Sequence, residues 1–122
     1  MKMKITLCIL FFISILSVSC RHTSDSPVSP VVNFRSDVQS ILIGNCTQGG
    51  CHGSIDNRRF SLVTYDDVMA SGTVIPGDAH NSNLFKAITG RNSIMPKSPQ
   101  TPLNDDQVRY IYIWIAQGAK NN

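Results

Sequence analysis

Cys46, Cys51 and His52 are the residues of this sequence best suited to chemistry. They fall in Gly44-Asn45-Cys46-Thr47-Gln48-Gly49-Gly50-Cys51-His52-Gly53, with an imidazole directly after the second of two thiols. A C-x-x-C-H arrangement marks covalent haem attachment. The sulfurs add to the two vinyl groups of the porphyrin, and the adjacent imidazole swings under the ring as an iron ligand. Four residues rather than two separate the thiols here. Gly49 and Gly50 have the backbone freedom to let the extra residues bulge out as a loop. Two other uses of the same side chains stay open. Cys46 and Cys51 could pair as a disulfide, a common feature of exported proteins. Together with His52 they could also bind zinc, although no fourth ligand follows at zinc-finger spacing.

A low-spin haem with one His ligand needs a second ligand from the other side of the ring. Met95 is the candidate, because its thioether is a weak neutral donor that raises the haem potential. Pro96 follows it and stiffens the loop that would aim the sulfur. His80 and Met69 compete for this role. His80 lies in a polar loop before a helix cap and reads as a surface residue. Met69 lies within a short helix and reads as core. Arg58, Arg59 and Arg91 are candidate partners for haem propionates. Trp114, Tyr110 and Phe85 would pack either on the ring or between helices.

Four short helical segments are expected to position these groups. The first runs from about Phe34 to Ile43, with Phe34, Val38, Ile41 and Leu42 on one face and Gly44 ending it. The second runs from about Tyr65 to Ala70, capped by Thr64 with Asp67 three residues on and Gly72 beyond. The third spans about Asn83 to Thr89, with Asn81 or Ser82 as cap, Leu84, Phe85 and Ile88 inward, and Gly90 as stop. The fourth opens with Asn104 and Gln107 in a capping-box arrangement, and Asp105 and Asp106 suit the helix dipole. Val108, Ile111, Tyr112 and Ile115 form its apolar stripe, widened by Tyr110 and Trp114, and Gly118 closes it. Few helices joined by long loops make a poor solid core but a good shell around a large flat apolar object.

The N-terminal residues predict export. Lys2 and Lys4 precede an apolar run from Ile5 to Leu16. That run is shorter than the roughly 20 residues of a membrane-spanning helix and suits a signal peptide over residues 1–19. Leu16-Ser17-Val18-Ser19-Cys20 resembles the lipobox of bacterial lipoproteins, with Ser17 where Leu or Val is usual. That resemblance implies that Cys20 becomes the first mature residue and carries the lipid, an anchor that does not span the membrane. Residues 20–32, rich in Ser and Pro, read as a flexible tether that includes His22, and residues 33–120 as one domain. The chain of 122 residues carries a net charge of +3. Without Lys2 and Lys4, nine Lys and Arg face eight Asp, a net of +1. So slight a charge argues against electrostatically driven nucleic-acid binding.

From Phe34 to Ala119 the sequence resembles the class I cytochrome c family, especially the cytochrome c-like domains of exported bacterial proteins. The matching pieces come in order. They are Asp37-Val38-Gln39-Ser40-Ile41-Leu42, then Cys46 and Cys51-His52-Gly53, then Val74-Ile75-Pro76-Gly77-Asp78 and Ser82-Asn83-Leu84-Phe85. Ile94-Met95-Pro96 follows, and Trp114-Ile115-Ala116-Gln117-Gly118-Ala119 closes the series. The resemblance implies an all-α cytochrome c-like fold around one covalently attached haem c. It matches Cys46 and Cys51 to the attachment cysteines, His52 to the proximal iron ligand and Met95 to the distal one. It implies an electron carrier rather than an enzyme, working with redox partner proteins at the periplasmic or outer-membrane surface. Two other functions remain open. One is a small haem peroxidase or gas-binding protein with His80 as its distal base. The other is a haem-free surface module with a Cys46–Cys51 disulfide.

Overall fold

The computed structural model describes residues 30–53, 60–90 and 93–122. The expected export segment, Cys20, His22, Arg58, Arg59 and Arg91 lie outside the described residues. Among the described residues the regular elements are all helical and no strand occurs. None of these helices is long and apolar enough to cross a membrane.

An opening π-helical turn, Phe34–Val38, runs straight into α1, Gln39–Cys46. Phe34, Val38 and Leu42 recur at four-residue spacing and are all buried. The helix does not stop at Gly44 as the sequence predicts; Cys46 is its last residue. Three later side chains account for the extension. Asn45 Nδ2 donates to the Ile41 carbonyl at 2.8 Å, Thr47 Oγ1 to Ile43 at 2.8 Å, and Gln48 Nε2 to Gly44 at 3.1 Å. They satisfy carbonyls that the last turn of a helix otherwise leaves open.

Helix α2, Tyr65–Ala70, starts with the expected capping box of Thr64 and Asp67. Helix α3, Asn83–Ile88, ends one residue early because Thr89 is extended. Ser82 occupies its cap position but makes no capping hydrogen bond. The buried Ser82 hydroxyl instead accepts from the Ile75 amide at 2.8 Å and donates to the Asp78 carbonyl at 2.8 Å, tying the preceding loop together. Helix α4, Asp105–Ala116, carries the capping box of Asn104 and Gln107. Ile111 and Ile115 are buried as the stripe requires, and Ile113 and Trp114 are buried with them. Tyr110 does not widen the stripe; it is among the exposed large apolar residues, on the solvent side of the helix.

Helix α4 packs on the opening turn and on α3. Where it meets the turn, three aromatic rings close a corner. Phe34 lies 5.3 Å from Tyr65, edge-on, and 5.3 Å from Trp114. Both polar handles are used: Tyr65 Oη donates to the Ala119 carbonyl and Trp114 Nε1 to that of Lys120, each at 2.9 Å. Asn122 caps the opening turn, its Oδ1 accepting from the Phe34 amide at 2.9 Å and its carbonyl from Arg35 at 3.0 Å. Pro30 and Val32, placed in the tether by composition, bind Gln117 instead, and Val32 is buried. The folded unit therefore reaches beyond 33–120 at both ends.

Candidate functional site

A cavity of about 700 Å³ opens away from the aromatic corner. Its volume falls within the range of about 300–1,000 Å³ typical of sites that enclose an organic ligand. Cys46, Cys51, His52, Met95 and Pro96 all line it. The cavity thus gathers four candidate residues that stand up to 49 positions apart in sequence.

Each is held by a local feature of the chain. Cys46 is delivered by the last turn of α1. The loop then turns back, with the Cys51 amide donating to Gln48 at 2.8 Å and the His52 amide to Cys46 at 2.9 Å. Gln48, Gly49 and Gly50 form its exposed tip, and Gly50 adopts a φ of 77°, a left-handed conformation that glycine accepts readily. The extra residues between the cysteines are absorbed in this bulge. Gly53 is fixed by sterics, because a Cβ there would run into the Thr47 carbonyl.

His52 Nδ1 lies 3.0 Å from the Phe60 carbonyl oxygen. A carbonyl only accepts, so the contact assigns the ring proton to Nδ1 and leaves the Nε2 lone pair for a metal. The Cys46 and Cys51 thiols are both free. Burial, and secondarily the neighbouring Cys51, pushes the Cys46 thiol up to about 11, so it stays protonated at neutral pH. Met95 hangs from α3. The amides of Ile94 and Met95 both donate to the Ala87 carbonyl, at 3.0 and 2.9 Å. Leu84, Ala87 and Ile88 of the same helix line the cavity beside it.

The other candidates are placed elsewhere. His80 is exposed, its ring 5.6 Å from Phe85 and 5.4 Å from Tyr112, and it is not on the cavity wall. Met69, Phe85, Tyr110 and Trp114 are not on the wall either. Trp114 packs between helices rather than over the cavity. Sequence reasoning missed Phe60, Lys86 and Lys97, which do line it. An isolated Phe between Arg59 and Ser61 was the available signal for the first. The lysines have no distinguishing pattern.

These residues fit a haem. Apolar side chains such as Leu62, Leu84 and Ile88 face the cavity, one imidazole presents a free nitrogen, and two free thiols stand at the same wall. Thioether sulfurs bind the ring edge and need not converge on the metal. Among the described residues no three His, Cys, Asp or Glu side chains form a group that could hold a metal ion. No family model, curated protein or solved structure matches this chain.

Proposed function

We propose that this chain is a small c-type cytochrome of the class I fold, carrying single electrons at a bacterial membrane surface. The observation that supports this reading above the others is the meeting of Cys46, Cys51, His52 and Met95 on one cavity. Cys46 and Cys51, both free thiols, would hold the cofactor through thioether bonds to its two vinyl groups. His52 would ligate iron through Nε2, kept available by the Phe60 carbonyl on Nδ1. Met95, on the cavity wall in the loop after α3, would offer its thioether as the other iron ligand. A haem c bound there supplies one-electron exchange between Fe(II) and Fe(III). A haem held by both His52 and Met95 would leave its iron no open position for substrate, which favours an electron carrier over an enzyme. Lys86 and Lys97, with Asn83 and Gln100, are cavity-lining polar groups available to the propionates.

The same reading includes export, lipidation at Cys20, a periplasmic or outer-membrane location and redox proteins as partners. Its test is a haem stain after denaturing electrophoresis of the protein matured in a host that attaches haem c. A stained band at the mass of the chain is expected, and an unstained band ends the proposal.

A further inference from the structure

Phe60 has a position that burial does not explain. It lines the cavity, yet it is 41% exposed. What it does contact is His52, and it does so through two separate groups. Its carbonyl accepts from Nδ1 at 3.0 Å. Its ring stacks on the imidazole with centroids 4.6 Å apart and planes 27° from parallel. Two residues on, the Leu62 amide donates to the His52 carbonyl at 2.8 Å. Residues 60–62 therefore grip His52 by its backbone, one ring nitrogen and one ring face.

These contacts restrain different motions. The second side-chain torsion of histidine is broad, so packing must define it. The hydrogen bond sets where Nδ1 points but permits the ring to rock about the N–H···O line. A ring stacked on the imidazole face opposes that rocking. We propose that Phe60 is a positioning residue that fixes the plane of the His52 imidazole as an iron ligand. This rests on the haem reading above. Groups that orient metal ligands tune the metal as well as hold it. The plane of a ligating imidazole helps to set how unpaired spin spreads over a ferric porphyrin, so with Met95 unchanged a shift of that plane moves the haem methyl signals.

The test compares the haem-loaded wild type with Phe60→Tyr, Phe60→Leu and Phe60→Ala in the oxidised state by proton NMR. All three variants keep the carbonyl, and only Phe60→Tyr keeps a stacked ring. Phe60→Tyr is expected to retain the order and spread of the four haem methyl signals. Phe60→Leu and Phe60→Ala are expected to change them while staining for haem as strongly as wild type. Spectra of Phe60→Leu and Phe60→Ala that superimpose on wild type overturn the inference. Loss of haem from Phe60→Leu with its helical circular dichroism intact also overturns it, because a residue that only aims the ligand is not needed for attachment. If Phe60→Ala does not fold, Phe60→Leu decides. A wild type without haem removes the functional reading first, and it is seen before any variant is made.

Discussion

The aromatic corner and the cavity divide the molecule by how each side chain is satisfied. At the corner, Phe34, Tyr65 and Trp114 fill space with one another, and their polar handles end on the carbonyls of Ala119 and Lys120. At the cavity, Leu84, Ile88 and Met95 turn toward a volume that the protein itself does not fill. The corner joins the two ends of the described chain around α2 and α4. The cavity joins the loop carrying Cys51 and His52 to α3 and the loop after it. A small domain has little apolar area to spare, and one that leaves such a cavity gains from a bound cofactor. The corner spends its apolar side chains on packing, whereas the cavity leaves its apolar side chains facing unfilled space.

Breaking the corner should have the largest effect. Trp114→Ala is expected to cost about 3–5 kcal/mol in denaturant unfolding, because a fully packed ring and its hydrogen bond are lost together. An effect below about 1 kcal/mol would mean that the corner is not the stabilising region.

Two leucines sharpen the contrast. Leu42 is fully buried and off the cavity, whereas Leu84 is on its wall. In haem-free chain, Leu42→Ala is expected to cost about 2–5 kcal/mol. Leu84→Ala should cost less, since one side of it already lacks partner atoms. With haem attached the two costs should approach each other. Equal costs in the haem-free chain would erase the distinction.

Within the cavity the Cys46 thiol bears the mark of burial. Burial holds the Cys46 thiol at about 11 against an ordinary 9.0. At pH 8 that lowers its thiolate fraction by about 100-fold. Mass spectrometry of chain treated with iodoacetamide should therefore show Cys46 alkylated far more slowly in the folded haem-free chain than in the urea-unfolded chain. The raised value also means that folding stability falls as the pH climbs from about 9 toward 11.

The smallest effect concerns α2. Hydrogen bonds from the Thr64 side chain, then from its backbone, and then from Ser61 lower the Asp67 carboxyl below its ordinary range. A lowered acid stabilises the fold above the unfolded value of about 3.9 and ceases to do so as the pH falls through its folded value. Thr64→Ala should therefore destabilise at pH 7, and its deficit should shrink in thermal melts below about pH 4. A deficit independent of pH would show that the Thr64 side chain contributes nothing through the Asp67 carboxylate.

Much of this arrangement was legible because local chemistry encodes it. Thr64 with Asp67 and Asn104 with Gln107 are side chains whose caps act within one turn, so spacing alone identifies them. The Cys46, Cys51 and His52 cluster was legible for the same reason, and the Gly50 bulge absorbs its unusual spacing. Other features depend on partners distant in sequence or on backbone atoms. Helix α1 outruns Gly44 because Asn45, Thr47 and Gln48 reach back to its carbonyls. Ser82 gives up its cap for the Ile75 amide, a partner reached only once the loop has folded. Phe60 acts on His52 partly through its carbonyl, which no residue type encodes. Tyr110 follows the apolar pattern of its helix, and its hydroxyl end is content in water.

The measurement that bears most directly on the central claim is a pyridine haemochrome spectrum of the purified, matured chain, taken after acid–acetone extraction has removed any unattached haem. Haem is expected to stay with the polypeptide, to give the band of a two-thioether haem c, and to be lost from the chain when Cys46 and Cys51 are both replaced by Ser. A wild-type chain that retains no haem after extraction would contradict the central claim.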